Sequence, residues 1–213
     1  MKEMRKTKVI IVEDQAMPRE LFKLMLDKSD KYELLYTLES ASVVNMYCDR
    51  YAVDLIVMDV VMGDGSNGLD AAERVKSSHP DIRIIIVTSM PEVSYLERAR
   101  RIGVESFWYK EKWGSESDIL EVMDRTMAGE SVYPDSSPAV QLGNVLSTDI
   151  TEAEIAVLRG LVSGMSNIEI AEHLHLSPAT VKTHISNMLM KTGFANRTEL
   201  AIQAVTLGLV IND

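Results

Sequence analysis

The sequence predicts a doubly wound α/β domain followed by a small all-α domain, and three observations carry that prediction. Short, continuous apolar runs alternate with amphipathic stretches through the first half of the chain. Each run closes on an acid, a hydroxyl or a lysine. After Asp149 the apolar runs give way to closely spaced helix-capping signals. Apolar runs bounded by turn residues suit parallel strands buried on both faces. Their alternation with helices is the pattern of a parallel sheet with crossover helices.

Asp54-Leu55-Ile56-Val57-Met58-Asp59 reads as the central strand, with Asp59 at the sheet edge where open α/β folds place their ligands. Lys8-Val9-Ile10-Ile11-Val12 is the first strand and ends in Glu13 and Asp14. A helix follows, with Pro18 in its first turn and Met17, Leu21, Leu24 and Met25 predicted on one apolar face. Glu33 to Thr37 is the second strand, and Ser42 to Cys48 the second helix. The Asp59 strand runs into Met62-Gly63-Asp64-Gly65-Ser66-Asn67-Gly68, a loop of residues that tolerate unusual backbone angles. A helix from Leu69 to Ser77 comes next. Arg83 to Thr88 is the fourth strand, and a helix from Val93 to Ile102 stops at Gly103. Ser106-Phe107-Trp108-Tyr109 is the fifth strand and ends at Lys110. A last helix from Ser117, with Ile119, Val122, Met123 and Met127 inward, stops at Gly129.

Glu13, Asp14, Asp59, Thr88 and Lys110 thus close different strands at one edge. Three carboxylates together repel, and a hard divalent cation such as Mg2+ relieves them. A lysine and a hydroxyl beside them suit a phosphoryl group. One carboxylate can then serve as nucleophile and form an acyl phosphate.

Val12-Glu13-Asp14, Met58-Asp59, Val87-Thr88-Ser89 and Tyr109-Lys110 resemble the receiver domain of two-component response regulators, over residues 7–129. The resemblance implies a flavodoxin-like five-stranded sheet and a phosphoryl group accepted by Asp59 from a sensor histidine kinase. It implies Mg2+ held by Asp14 and Asp59, by Glu13 through water and by the Val61 carbonyl. It gives Thr88 and Lys110 the phosphoryl oxygens and Phe107 the place of a rotating aromatic switch. One departure stands out. The family commonly has Pro where Gly63 stands, and a loop one residue shorter. The longer loop is expected to be more mobile, and Asp64 to be solvated rather than a ligand.

Composition excludes several classes. With 213 residues, 46% of them hydrophobic, the chain can fill one or two cores. No apolar run approaches the roughly 20 residues of a membrane span. The charged start, Met1 to Lys6, lacks a signal-peptide pattern. A lone Cys48 cannot form an internal disulfide, which fits a reducing cytoplasm, and it reads as a packing residue rather than a nucleophile. A net charge of −10 argues against a generally polyanion-binding surface, but leaves room for a local basic face.

Residues 130–147, with Pro134, Pro138 and Gly143, read as a linker with a helical turn near Val140. Four short helices follow within 148–211. Thr151-Glu152-Ala153-Glu154 and Ser166-Asn167-Ile168-Glu169 are capping boxes. Ser177-Pro178 opens the third helix, which ends at Gly193, and Asn196 to Glu199 repeats the cap pattern. Only His175-Leu176-Ser177 separates the second and third helices, the spacing of a helix-turn-helix. In the third helix Val181, Ile185, Met188 and Leu189 form the core stripe. Lys182, Thr183, Ser186, Asn187, Met190 and Lys191 lie opposite, and no acid occurs from Pro178 to Thr198. A recognition helix needs such a face. An ordinary solvated helix face would look similar.

Gly164 to Ala171 and Thr180 to Asn187 are similar to the LuxR-type helix-turn-helix, and the pair of domains resembles the NarL/FixJ class of response regulators. The resemblance implies Lys182, Thr183 and Ser186 at bases of promoter DNA. It implies Thr180, His184, Asn187 and Lys191 at phosphates or neighbouring base edges. The fourth helix would pair two copies in a homodimer on activation, with RNA polymerase a further partner. Ala153 and Ile168 stand where the family often has Arg and Lys, which weakens backbone contacts. The function expected is a phosphorylation-switched transcription regulator, not an enzyme. A phosphorylation-independent DNA-binding regulator is the alternative. An aspartyl-phosphate phosphatase needs a second Asp where Val61 stands, and no Gly-x-Ser-x-Gly elbow supports a hydrolase. His173 and His175 lack the further ligands of a metal site.

Overall fold

The computed structural model describes residues 5–110, 116–135 and 137–210. Residue 211 and the first four residues, on which the N-terminal reading partly rests, lie outside them. The chain forms two compact units that part between residues 135 and 137.

The first unit is built on five parallel strands: β1 Thr7–Val12, β2 Tyr32–Leu38, β3 Leu55–Met58, β4 Arg83–Thr88 and β5 Ser106–Tyr109. Their order is β2-β1-β3-β4-β5, the doubly wound flavodoxin-like arrangement. β3 therefore lies between β1 and β4, and all four of its residues are buried. Successive side chains point to opposite faces of the sheet. Val9, Ile11, Leu55, Val57, Ile85 and Val87 pack against α1 (Ala16–Asp27) and α5 (Glu116–Met127) through Phe22, Met25, Leu26, Ile119, Val122 and Met123. Ile10, Ile56, Met58, Ile84 and Ile86 are buried on the other face. There α3 (Gly68–Ser78) packs between α2 (Val44–Arg50) and α4 (Val93–Ile102).

Two helices of this unit differ from the reading above. In α1, Met17 is 83% exposed and Leu24 56%, while Pro18, Phe22, Met25 and Leu26 are buried. At about 3.6 residues per turn, the stripe 17–21–24 lies beside the stripe 18–22–25. Phe22 claims the core, and only Leu21 of the outer stripe still touches it. The second helix opens with a 3-10 turn, Ala41–Val43, capped by the Ser40 hydroxyl.

The segment after α5 is not a free tether. Val132 bridges to β5 in parallel, with Phe107 N donating to Val132 O at 2.8 Å. Tyr133 lies 6.3 Å from the Phe107 ring, and its hydroxyl donates to Val104 O at 2.7 Å. The helical turn expected near Val140 is absent. In its place stands an antiparallel hairpin, β6 Gln141–Leu142 and β7 Val145–Leu146. Gly143 takes the left-handed angle, φ 60°, that a two-residue Gly-Asn hairpin turn requires. Leu142 is fully buried, and Val140 and Val145 pack with it into the C-terminal core.

That core is closed by α6 Glu152–Val162, α7 Asn167–His173, α8 Pro178–Thr192 and α9 Arg197–Thr206. Thr151 and Ser166 form reciprocal capping boxes with Glu154 and Glu169. Ser177 caps α8 through Thr180 N, with Pro178 in the first turn. Asn196 caps α9, but Glu199 accepts from Ala195 N, so the reciprocal bond to the cap residue is not made there. Among the described residues no helix is long and apolar enough to cross a membrane.

The hairpin yields a prediction. Truncating Leu142→Ala should destabilise the C-terminal unit by about 2–5 kcal/mol, the usual cost of emptying a core leucine site. Urea denaturation followed on α6–α9 amide resonances measures it. A loss under about 0.5 kcal/mol, the range of surface substitutions, would place Leu142 outside that core.

Candidate functional site

The C-terminal ends of β1, β3 and β5 deliver the charged residues to one place. Glu13, Asp14 and Asp59 each offer a carboxylate oxygen, and these oxygens lie within 4.8 Å of one another. Glu13 and Asp59 are buried, as is Lys110. The Lys110 ammonium donates to Glu13 Oε2 at 2.5 Å and to Asp59 Oδ2 at 2.6 Å. The other Asp59 oxygen accepts Val60 N at 2.6 Å. Burial works to discharge Lys110, but the attraction of Asp59 and Glu13 outweighs it and holds the ammonium above its ordinary pKa. Burial pushes the Glu13 carboxyl up, against the pull of Lys110.

Asp14 completes the set differently. Its Oδ2 accepts Gly63 N at 2.7 Å. Its Oδ1 is buried and meets no hydrogen-bond donor among the described residues. An all-oxygen, carboxylate-rich set with one such orphan oxygen suits a hard divalent cation. Arg19 holds the backbone of the acid pair, donating to Glu13 O and Asp14 O at 2.9 Å each.

The loop after β3 carries its own set of hydrogen bonds. Ser66 donates from its backbone N and from its hydroxyl to Asp64 Oδ1, at 2.9 and 2.6 Å. The same hydroxyl accepts Ala41 N at 3.0 Å. Val61 bridges to Asn67, which caps α3. Asp64 is exposed, and its carboxyl is held low, at about 2, by Ser40 and Ser66. Gly68 is required for space: a Cβ there would lie 1.9 Å from Asp59 O.

Thr88 ends β4 and is fully buried, paired in register with Tyr109. Phe107 is buried, its ring 5.1 Å from that of Tyr109. Cys48 is buried and free, with its thiol pushed up to about 11 by burial, so it is a packing residue. The reading from sequence missed three contributors. Ser66 acts through a contact with Ala41, 25 residues away, and Arg19 reaches back five and six residues to backbone carbonyls, which carry no side-chain pattern to read. Gly63 had a visible signal, its replacement of the family's proline.

In the second unit the turn between α7 and α8 passes through His175 at φ 56°. Histidine is one of the residues that tolerate this angle better than most, which accounts for it without a metal. Val181, Ile185 and Met188 are buried and Leu189 is half-buried. Lys182, Thr183, Ser186 and Met190 are exposed, and Thr180, His184, Asn187 and Lys191 are half-buried. Thr180 is engaged in the Ser177 cap. Lys191 is not free: its ammonium donates to Glu154 Oε2 at 2.7 Å and to Asp149 O at 3.1 Å. Burial acts to raise the Glu154 carboxyl, but Lys191 and Thr151 outweigh it and hold it below the usual glutamate value.

Residues 9–123 match the description "Response regulator receiver domain" and residues 148–204 match "Bacterial regulatory proteins, luxR family". The chain is 32% identical to the response regulator protein VraR of Staphylococcus saprophyticus over 95% of this chain and 98% of that protein. It is 30% identical to the Fimbriae Z protein of Salmonella typhimurium over 92% and 95%. Among solved structures it resembles RcsB from Salmonella enterica serovar Typhimurium, bound to promoter P1flhDC in the presence of the phosphomimetic BeF3−. There the TM-score is 0.63 at 19% identity, covering 93% of this chain and 98% of the other, a likeness of fold. Two matched domains in this order, with relatives aligned over nearly their whole length, place the chain in the response-regulator family, as a receiver domain joined to a LuxR-type DNA-binding domain.

Proposed function

We propose that the protein is a two-component transcription regulator switched by phosphorylation of Asp59. The observation that carries this reading is the arrangement of Lys110 against Asp59 and Glu13, with Asp14 beside them. It is a cationic clamp and an acidic cluster at the carboxyl edge of a parallel sheet. The donor is a sensor histidine kinase. An Asp59 oxygen attacks phosphorus, the bond from phosphorus to the donor breaks, and the donor keeps the electron pair. The Lys110 ammonium turns from the carboxylate to the phosphoryl oxygens, and the Thr88 hydroxyl joins it. Mg2+, held by Asp14, Asp59 and the Val61 carbonyl and through water by Glu13, would neutralise charge in the cluster. Phe107 and Thr88 carry the change to the surface of α4 and β5, as a shift between existing conformations. Val61 cannot act as the acid or base of a turnover phosphatase, which supports a switch rather than an enzyme.

The output is DNA binding. Lys182, Thr183 and Ser186 on the exposed face of α8 meet base edges. Thr180, His184, Asn187 and Lys191 meet phosphates or neighbouring base edges. Lys191 also keeps Glu154 paired, so its share of affinity is smaller than that of Lys182. Ile202 and Val205 are exposed on α9, which supports pairing of two copies there. The promoter-bound RcsB structure is a further support for duplex DNA as the partner. Cys48 as a buried free thiol fits a reducing cytoplasm.

Two outcomes test the proposal. Incubation with acetyl phosphate and Mg2+ should add one phosphoryl mass to the wild type and none to Asp59→Ala; equal labelling of both would remove Asp59 from its role. Lys182→Ala should cost about 1–3 kcal/mol on a duplex selected from a random library and little on a scrambled one. A variant that weakens both duplexes alike would show that α8 does not read bases.

A further inference from the structure

We infer that the Gly63 N–H is a positioning group for the cation site: it pins the Asp14 carboxylate, and the turn closed by Asp64 and Ser66 holds Gly63 in place to do so. The inference rests on the reading of Glu13, Asp14 and Asp59 as a cation site.

A carboxylate rotates freely about its last bond unless something holds it. Here Gly63 N fixes Asp14 Oδ2 at 2.7 Å, and the buried Oδ1 is left for the cluster. Two observations bear on the residue at 63. The bond needs an N–H, which proline lacks. A Cβ at 63 would lie 2.9 Å from Asp14 Oδ2, so the end of that carboxylate would have to shift. Backbone angle is not the reason, because Gly65, not Gly63, takes the left-handed conformation in this loop.

The turn itself explains how Gly63 is presented. Gly65 N donates to Met62 O at 3.0 Å and Met62 N to Ser66 O at 3.3 Å. The Ser66 hydroxyl ties Asp64 on one side and Ala41 N on the other. Asp64 therefore acts within the turn and is outside the carboxylate cluster. The extra residue of this loop and its glycine are one device, which orders a metal-binding carboxylate before the metal arrives.

The experiment is Mg2+ titration of the full chain by calorimetry, in the wild type and four variants. Ser66→Ala removes the turn's anchor without changing charge, and Gly63→Ala forces the carboxylate aside. Each should weaken Mg2+ binding about tenfold, the scale reported for partners that orient metal ligands. Ser66→Thr, which keeps the hydroxyl, should restore wild-type affinity, and Asp64→Asn, which keeps an acceptor, should stay within about threefold of it. In Ser66→Ala the Gly63 amide should lose its exchange protection. Unchanged Mg2+ affinity in both Ser66→Ala and Gly63→Ala overturns the inference and leaves the site reading standing. An equal tenfold loss in Asp64→Asn also overturns it, since charge alone would then suffice. A wild type that binds no Mg2+ overturns the site reading and this inference together.

Discussion

Burying like charges at one sheet edge demands a counter-charge, and the ion pairs of Lys110 with Glu13 and Asp59 supply it. Glu13 and Asp59 are almost without solvent access. Unpaired carboxylates in such a place would be strongly destabilising. Lys110 comes from β5, which lies beyond β4 from β3 and farther still from β1. The interaction is possible only because strand ends align at one edge. That alignment follows from the parallel registers, which pair Val12 with Met58 at the ends of β1 and β3, and Thr88 with Tyr109 at the ends of β4 and β5. The apolar strands are thus the support of a charged site, and the site is a reason why β3 and β5 end where they do.

Around that pair, backbone groups do as much as side chains. Val60 N holds one Asp59 oxygen and Gly63 N holds one Asp14 oxygen. Arg19 fixes the carbonyls of Glu13 and Asp14 and also pairs with Glu39 at 2.8 Å. Gly68 lets α3 start against the Asp59 carbonyl. An arrangement in which carboxylates are oriented in advance costs less reorganisation when a cation or phosphoryl group binds.

The helical unit shows the opposite economy. Its helices are set by local caps, and its cations are few and partly committed. Lys191 secures Glu154 of the α6 capping box, and Arg197 donates to Asn167 Oδ1 at 2.9 Å and to Met165 O at 2.7 Å. Both cations stitch helices together. Lys182 stays exposed on the outer face of α8. With a net charge of −10 on the chain, nonspecific attraction to a polyanion is weak.

Much of this was legible in the sequence because its cause is local. A buried parallel strand must be apolar, so β1, β3, β4 and β5 announce themselves, and the polar residue that ends each one marks the edge. Helix caps are satisfied within four residues, so Thr151, Ser166 and Ser177 were readable as caps. The alternation of elements was enough to name the sheet. Other features were decided only by tertiary structure. Met17 and Leu24 are as apolar as Leu21, but Phe22 occupies the space beneath α1. The segment near Val140 is a hairpin because Leu142 has a core to enter, which no local preference records. In the loop after Asp59, Ser66 meets Ala41 some 25 residues away in sequence, a contact that no local pattern records. Local pattern fixes what each residue can offer, and only the folded chain determines which distant group is there to accept it.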